Sequence, residues 1–487
     1  MSMLTELSKL KDGLPLHQKM RIGGKLVGSD RVIEVRNPYN GKLVGTIPKA
    51  TVGDIRDAFR IGCQFKSSLT RFERSKIMLR ASELLRANTD AISDLITAES
   101  GLCKKDSLYE VGRACDVFVF AANQTLVDDG QVFSCDLTPH GKQRKVYTMK
   151  EPLLGAISAI TPFNHPLNQV AHKVAPSIAT NNRMVLKPTE KTPFSALLLA
   201  DILYEAGLPP EMFSVVTGDP KEIADEMLTN ADVDLVTFTG GVPIGKYIAG
   251  KAVYKRQVLE LGGNDPIIVM EDADIEEAAT LAVSGSYKNS GQRCTAIKRM
   301  IVHQAVADEF VDKLVAKTRA IKFGNPMDAG NDMGTVIDER AAMEFEAKVK
   351  DAERCGAKLL YGNVRDGALY SPTVLDHVPA DCKLVAQETF GPVSPVIRCT
   401  DIADAIRISN STPYGLSSSV CTNRMDYITR FVRELEVGSV NVREVPGYRL
   451  ELTPFGGIKD SGLGYKEGVL EAMKSFSNTK TYSVPWL

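Results

Sequence analysis

A chain of 487 residues is too long for one ordinary hydrophobic core and implies two to four lobes. Its 44% apolar and 24% charged residues are those of a folded globular protein, and a net charge of −1 argues against nucleic acid or an anionic membrane as the main partner. The opening MSMLTELSKLKDG lacks a signal-peptide core, no stretch has the length of a membrane span, and nine cysteines without a CxxC pair give neither a disulfide framework nor a zinc knuckle, so a cytoplasmic location with reduced thiols is expected.

In chain order, the first third reads as mostly helical. Val52, Ile55, Ala58, Phe59 and Gly62 have helix spacing, and longer helical patterns cover 71–98 and 105–124. Residues 131–150 read as a hairpin, with a turn at Pro139–Gly141 between two short β-prone runs. From residue 155 short β runs alternate with amphipathic helices. The runs are GAISAIT (155–161), RMVLKP (183–188), FSVVTG (213–218), LVTFTG (235–240) and QVLELGG (257–263), with helices at 195–207 and 221–229. This alternation predicts a mainly parallel sheet with right-handed crossovers. A second alternating series runs from PIIVM (266–270) to about 440, with a helix over 306–321. The expected fold class is α/β, with two lobes, the hairpin and a C-terminal strand, KTYSV (480–484), left over.

The chemistry gathers at two short motifs. LELGG sets Glu260 at the end of a β run, followed by two glycines. Cys294 stands 34 residues later in KNSGQRCTA, among polar and small residues where a buried structural cysteine would have apolar neighbours. A thiol and a carboxylate at one site suit covalent acyl transfer: sulfur attacks a carbonyl, and the carboxylate later activates water against the thioester.

Seven stretches in order, TPFNHP, VLKPTEKTP, FTGGVPIG, LELGGNDP, SGQRCTA, QETFGPV and PFGGIKDSGLG, resemble the NAD(P)-dependent aldehyde dehydrogenases along nearly the whole chain. The resemblance implies two Rossmann-type lobes: a cofactor domain from 1–128 and 151–262, a catalytic domain over 263–440, and an oligomerisation element from 129–150 and 470–487. It implies Cys294 as nucleophile, Asn164 with the Cys294 amide as oxyanion donors, and Glu260 as the base for thioester hydrolysis. Thr161, Lys187, Glu190, Gly218, Gly240, Gly245, Glu388 and Phe390 would hold the cofactor. Glu190 beside the adenosine ribose would repel a 2′-phosphate and favour NAD, with NADP possible. Departures from the family pattern are Phe163 before the oxyanion asparagine, Gly241 after FTG, and a GYKEG spacing that leaves Glu467 without an assigned role.

Arg113, His165, Arg293, Thr295 and Arg449 would line the substrate side. Three guanidinium groups on one tunnel suit a tetrahedral anionic head group. FNHPLNQVAHK, FTGGVPIGK and NSGQRCTAIKRM most resemble the family members that oxidise phosphonoacetaldehyde, and that resemblance implies this substrate, with glyceraldehyde 3-phosphate and succinate semialdehyde as alternatives. A non-catalytic relative that keeps only the fold is the reading from another class, and the joint presence of Cys294, Glu260 and Asn164 argues against it. The assembly implied is a homodimer or homotetramer.

Overall fold

A computed structural model describes residues 3–127, 130–464 and 466–486. The expected boundary at 128–129 and the chain ends at 1–2 and 487 lie outside the described residues.

Two seven-stranded sheets organise the molecule. The first runs Arg256–Glu260, Val233–Thr239, Ala156–Thr161, Met184–Pro188, Phe213–Val215, Met20–Ile22, Lys25–Val27. Its first five strands are parallel, and the last two join antiparallel at the edge. The second runs Lys358–Tyr361, Thr373–Asp376, Val393–Cys399, Arg299–His303, Pro266–Val269, Ser417–Cys421, Ser439–Val442. It too is parallel except for its Lys358–Tyr361 edge. Parallel strands buried on both faces carry near-continuous apolar runs, and Ile267, Ile268, Val269, Met300, Ile301 and Val302 are all fully buried.

The first fifty residues differ from the helical expectation. Leu16–His17, Met20–Ile22, Lys25–Val27, Val32–Arg36 and Leu43–Pro48 are strands. They are short, and their partners are remote or lie across turns: Arg21 registers against Val215, in the first large sheet. The helical pattern over 71–98 is two helices, Arg71–Ala87 and Thr89–Ser100, broken at Asn88, whose backbone leaves the helical region at φ −116°, ψ 19°. Thr51 with Asp54 and Thr70 with Glu73 form reciprocal capping boxes that fix where the helices Val52–Gln64 and Arg71–Ala87 begin.

The hairpin is present as Val132–Ser134 and Arg144–Pro152, with Gly141 donating to the Thr138 carbonyl in the turn. The C-terminal strand Ser477–Pro485 is longer than the sequence suggests. It pairs antiparallel with Arg144–Pro152 of its own chain, Tyr147 stacked on Tyr482 with ring centroids 5.2 Å apart. Among the described residues no strand pairs with the outer edge of Ser477–Pro485 in this three-stranded sheet. Among the described residues no helix is long and apolar enough to cross a membrane.

The arrangement of the two large sheets places the site. Thr161, Lys187, Thr239 and Glu260 stand at or next to the carboxyl ends of first-sheet strands, where a doubly wound sheet binds its ligand. Cys294 and Glu388 sit in the loops that lead into Arg299–His303 and Val393–Cys399 of the second sheet. The ends of one sheet therefore face the entries of the other across a groove.

Candidate active site

The loop that carries Cys294 has an unusual backbone. Asn289, Ser290 and Gly291 are consecutively left-handed, with φ of 56°, 53° and 72°. Asn tolerates this conformation and Gly is indifferent to it, whereas Ser290 is strained and is held by burial and a bond from its hydroxyl to the Gly334 carbonyl. Asn289 receives support from three sides: its amide donates to Asp106 Oδ2 at 2.8 Å, its side chain donates to the Asn164 carbonyl at 3.2 Å, and it lies 3.1 Å from the His165 ring nitrogens. Gly291 is required because a Cβ there would lie 2.3 Å from the Gly391 carbonyl oxygen. The turn therefore ties the cysteine loop to the segment that holds Glu388 and Phe390.

Cys294 lines a groove of 820 Å³ together with Glu260, Asn164, Glu388 and Phe390. Burial pushes its thiol up to about 11, with Lys298 acting in the opposite direction. Among the described residues the Cys294 amide has no backbone acceptor, so it is free to meet an oxyanion beside the Asn164 side chain. Both Glu260 carboxyl oxygens are buried without a hydrogen-bond partner. Burial and the neighbouring Glu467 hold this carboxyl well above the usual range. Glu467, to which the sequence assigned no role, forms a fully buried pair with Lys173 at 2.7 Å, and Lys173 also donates to Thr237 Oγ1 at 2.9 Å.

On the first-sheet side the groove is lined by Thr161, Phe163, Lys187, Glu190, Gly240 and Gly241. Lys187, almost fully buried, lies 3.6 Å from Glu190 and donates to the Pro188 carbonyl. Phe163, in place of the family's tryptophan, meets Phe390 edge-on with centroids 5.8 Å apart. Gly218 and Gly245 are not in the lining. A Cβ at Gly245 would meet Leu261 at 2.4 Å, so that glycine serves helix-to-strand packing beneath the groove. A Cβ at Gly240 would lie 2.4 Å from the Phe238 ring, which packing alone explains.

The residues expected on the substrate side are not part of this groove's lining; they form a separate cluster. Arg113 pairs through Nε with Glu451, which also accepts from His172 at 2.6 Å and lies 3.6 Å from Arg449. Burial opposes ionisation of Glu451, but His172, Arg449 and Arg113 override it and hold the carboxyl well below the usual range. Arg449 stacks on Phe455 at 3.9 Å. Arg293 donates to the Gly285 carbonyl at 3.1 Å, while its Nε and the Nη1 of Arg449 are buried without an acceptor. His165 is buried, 3.7 Å from Glu110, and burial shifts its ring below the usual imidazole range against the pull of Glu110. Thr295 lies under the 445–449 segment, where a Cβ on Gly447 would approach its hydroxyl to 2.5 Å. Sequence reasoning missed Lys288, whose ammonium lies 3.2 Å from the Tyr109 ring centroid; burial, then Arg293, lowers it to about 8. It also missed Glu451 and His172, which follow only from their contacts.

Two mainly parallel sheets that meet over one groove lined by a thiol and a buried carboxyl make a site suited to acyl chemistry on sulfur. The chain belongs to the aldehyde dehydrogenase family, whose profile matches residues 26–482. It is similar to a 3-sulfolactaldehyde dehydrogenase of Priestia aryabhattai, 36% identical over 460 residues that cover 94% of this chain and 96% of the relative. Aldehyde dehydrogenase 21 from Physcomitrella patens, solved with its product succinate, superposes with a TM-score of 0.94 at 34% identity, covering 97% of this chain and 99% of that one. The glyceraldehyde-3-phosphate dehydrogenase of Methanocaldococcus jannaschii, solved with NADP, gives a TM-score of 0.90 at 34% identity, covering 94% of this chain and all of that one. The protein is an NAD(P)-dependent aldehyde dehydrogenase that oxidises a small aldehyde.

Proposed function

We propose that this enzyme oxidises phosphonoacetaldehyde to phosphonoacetate, using NAD. The observation that supports the reading is the set of Arg113 and Arg293 near His165 and Arg449 beside Glu451, the partner of Arg113, with the Arg293 Nε and Arg449 Nη1 donors buried and without acceptors. Buried guanidinium donors are costly without a partner, and a tetrahedral anionic head group supplies one. Cys294 as thiolate attacks the aldehyde carbon. The Asn164 side chain and the Cys294 amide receive the oxyanion. NAD(P) when bound supplies the hydride acceptor. Glu260, once deprotonated, takes a proton from the water that cleaves the thioester, beside the Lys173–Glu467 pair. The division into a cofactor domain, a catalytic domain and an oligomerisation element belongs to the same reading, as does a homodimer or a dimer of dimers.

A second reading has a specific observation behind it. Glu451 already occupies Arg113 and lies beside Arg449, which lowers the positive charge left for a substrate. A singly charged sulfonate or carboxylate aldehyde suits that balance, in line with the sulfolactaldehyde relative and the succinate-bound neighbour. The deciding experiment follows NADH formation on phosphonoacetaldehyde, glyceraldehyde 3-phosphate, sulfoacetaldehyde, succinate semialdehyde and propanal, with the wild type and Arg293→Ala. Phosphonoacetaldehyde leading in kcat/KM, with the lead erased by the substitution, supports the first reading. Sulfoacetaldehyde or succinate semialdehyde leading supports the second. Propanal equal to the anions would falsify both.

A further inference from the structure

Lysine is almost never fully buried unless it is paired, and Lys298 is 2% exposed. Its ammonium donates to the Gly263 carbonyl at 2.6 Å, the Cys294 carbonyl at 3.1 Å and Glu388 Oε1 at 2.5 Å. Three donors meet three acceptors, so the group has no capacity left over. The same ammonium lies 5.2 Å from the Phe390 ring centroid. The acceptors come from three separate segments: the loop after Arg256–Glu260, the cysteine loop, and the loop before Val393–Cys399.

The two glycines of LELGG are what let these segments converge. A Cβ at Gly262 would lie 2.2 Å from Glu388 Oε2, and one at Gly263 would lie 2.6 Å from the Cys294 carbonyl oxygen. Gly263 also donates its amide to Glu388 Oε1 at 3.2 Å. The glycine pair therefore makes a notch in which a carboxylate, a catalytic-loop carbonyl and a cation pack against bare backbone.

We infer that Lys298 is a positioning residue that ties Glu388, on the cofactor side of the groove, to the backbone of Cys294, so that cofactor binding and the reactivity of the thiol are coupled through one buried charge. This rests on the reading of Cys294 as nucleophile and Glu388 as a cofactor contact. With Glu388 in place, much of the ammonium's field is directed at that carboxylate. A cofactor hydroxyl that draws Glu388 away leaves Lys298 facing the Cys294 side alone, and a nearby cation favours the thiolate. Other charged groups share the notch and bear on its titration. Asp265 is buried beside Lys298, Lys348 donates to the Glu388 carbonyl at 2.6 Å, and Arg449 and Arg299 act on Cys294 and Asp265 respectively.

The test uses the full-length enzyme and two variants that push in opposite directions. Iodoacetamide alkylation of Cys294, located by peptide mass, is followed against pH without cofactor, and NAD affinity and Tm are measured in parallel. Lys298→Met removes the cation. Its alkylation profile is expected to move to higher pH, with the rate at pH 8 down by about tenfold, the effect of one pKa unit. Glu388→Gln leaves the cation and removes its partner, and its profile is expected to move to lower pH. Lys298→Arg, which keeps the charge, restores the profile toward wild type. A merely structural lysine would lower Tm in Lys298→Met and leave both profiles unmoved, and that result overturns the inference. If Lys298→Met does not fold, an unmoved profile in Glu388→Gln overturns it alone. A shifted profile with unchanged NAD affinity in Glu388→Gln rejects Glu388 as a cofactor contact and with it the coupling. A fast-reacting thiol that maps elsewhere rejects the reading of Cys294 itself.

Discussion

At Cys294, the proposed nucleophile, burial and nearby cations act in opposite directions on the thiol. Burial holds the thiol near 11, so the thiolate fraction, and with it the rate of attack, grows as pH rises toward that value. Without cofactor, alkylation is expected to rise log-linearly from pH 7 to 9 with no plateau; a plateau below pH 8 contradicts this. Asn164→Ala removes one oxyanion donor and is expected to lower kcat by about 10²–10³-fold with little change in NAD affinity, checked by steady-state kinetics and cofactor titration. The Lys173–Glu467 pair is fully buried, so Lys173→Met strands a carboxylate and is expected to cost about 3–5 kcal/mol of stability. Chemical denaturation measures that loss, and a Glu467→Gln change added to Lys173→Met recovers part of it. If the arginine cluster holds the substrate, as proposed, Glu451 sets the charge left to it, and Glu451→Gln is expected to raise the preference for a phosphonate over a sulfonate aldehyde, read as the ratio of kcat/KM values.

Helix ends and turns carry the next level of the design. The helix Asn168–Ala179 begins without a side-chain cap of its own, because Leu167 stands at its N-cap. Glu110 on the Lys104–Val127 helix supplies the acceptor instead, taking the Leu167 and Asn168 amides at 2.8 and 3.0 Å. Its other oxygen faces His165. Glu110→Ala leaves two buried amides unsatisfied and is expected to cost about 1–3 kcal/mol, read from the urea midpoint. Because the Asn164–His165 turn leads straight into this helix, kcat should fall in the same variant. The helices of the first third were legible from apolar spacing, as in Val52–Gln64 and Lys104–Val127. The strands between 16 and 48 were not, because two- to six-residue strands carry too few side chains to show a period. Their stability comes from pairing, as where Arg21 meets Val215.

For the whole molecule, the edge strand Ser477–Pro485 is the feature that bears on assembly. A nine-residue strand whose outer edge no other strand pairs among the described residues is a template for another chain, and Met149 and Tyr482 on this small sheet, Leu137 in its turn and Trp486 just past its end are exposed. Removal of residues 477–487 also strips the partner from Arg144–Pro152. The truncated protein is expected to show a smaller solution mass than the intact chain, or to aggregate, by light scattering at micromolar concentration. An unchanged mass places the assembly surface elsewhere.

The candidate catalytic residues Cys294, Glu260 and Asn164 could be picked out from ordered motifs along the chain, and the fold brings all three to one groove. The alternation of strand and helix likewise follows from periodicity, which is a local property. Only the tertiary structure decided the electrostatics. That Glu451 stands between Arg113 and Arg449, that Glu467 faces Lys173 across nearly three hundred residues of chain, and that Gly262 and Gly263 make room around Lys298 are facts of long-range packing. A charge's effect depends on its distance from its neighbours and on its burial, and neither quantity is carried by sequence position.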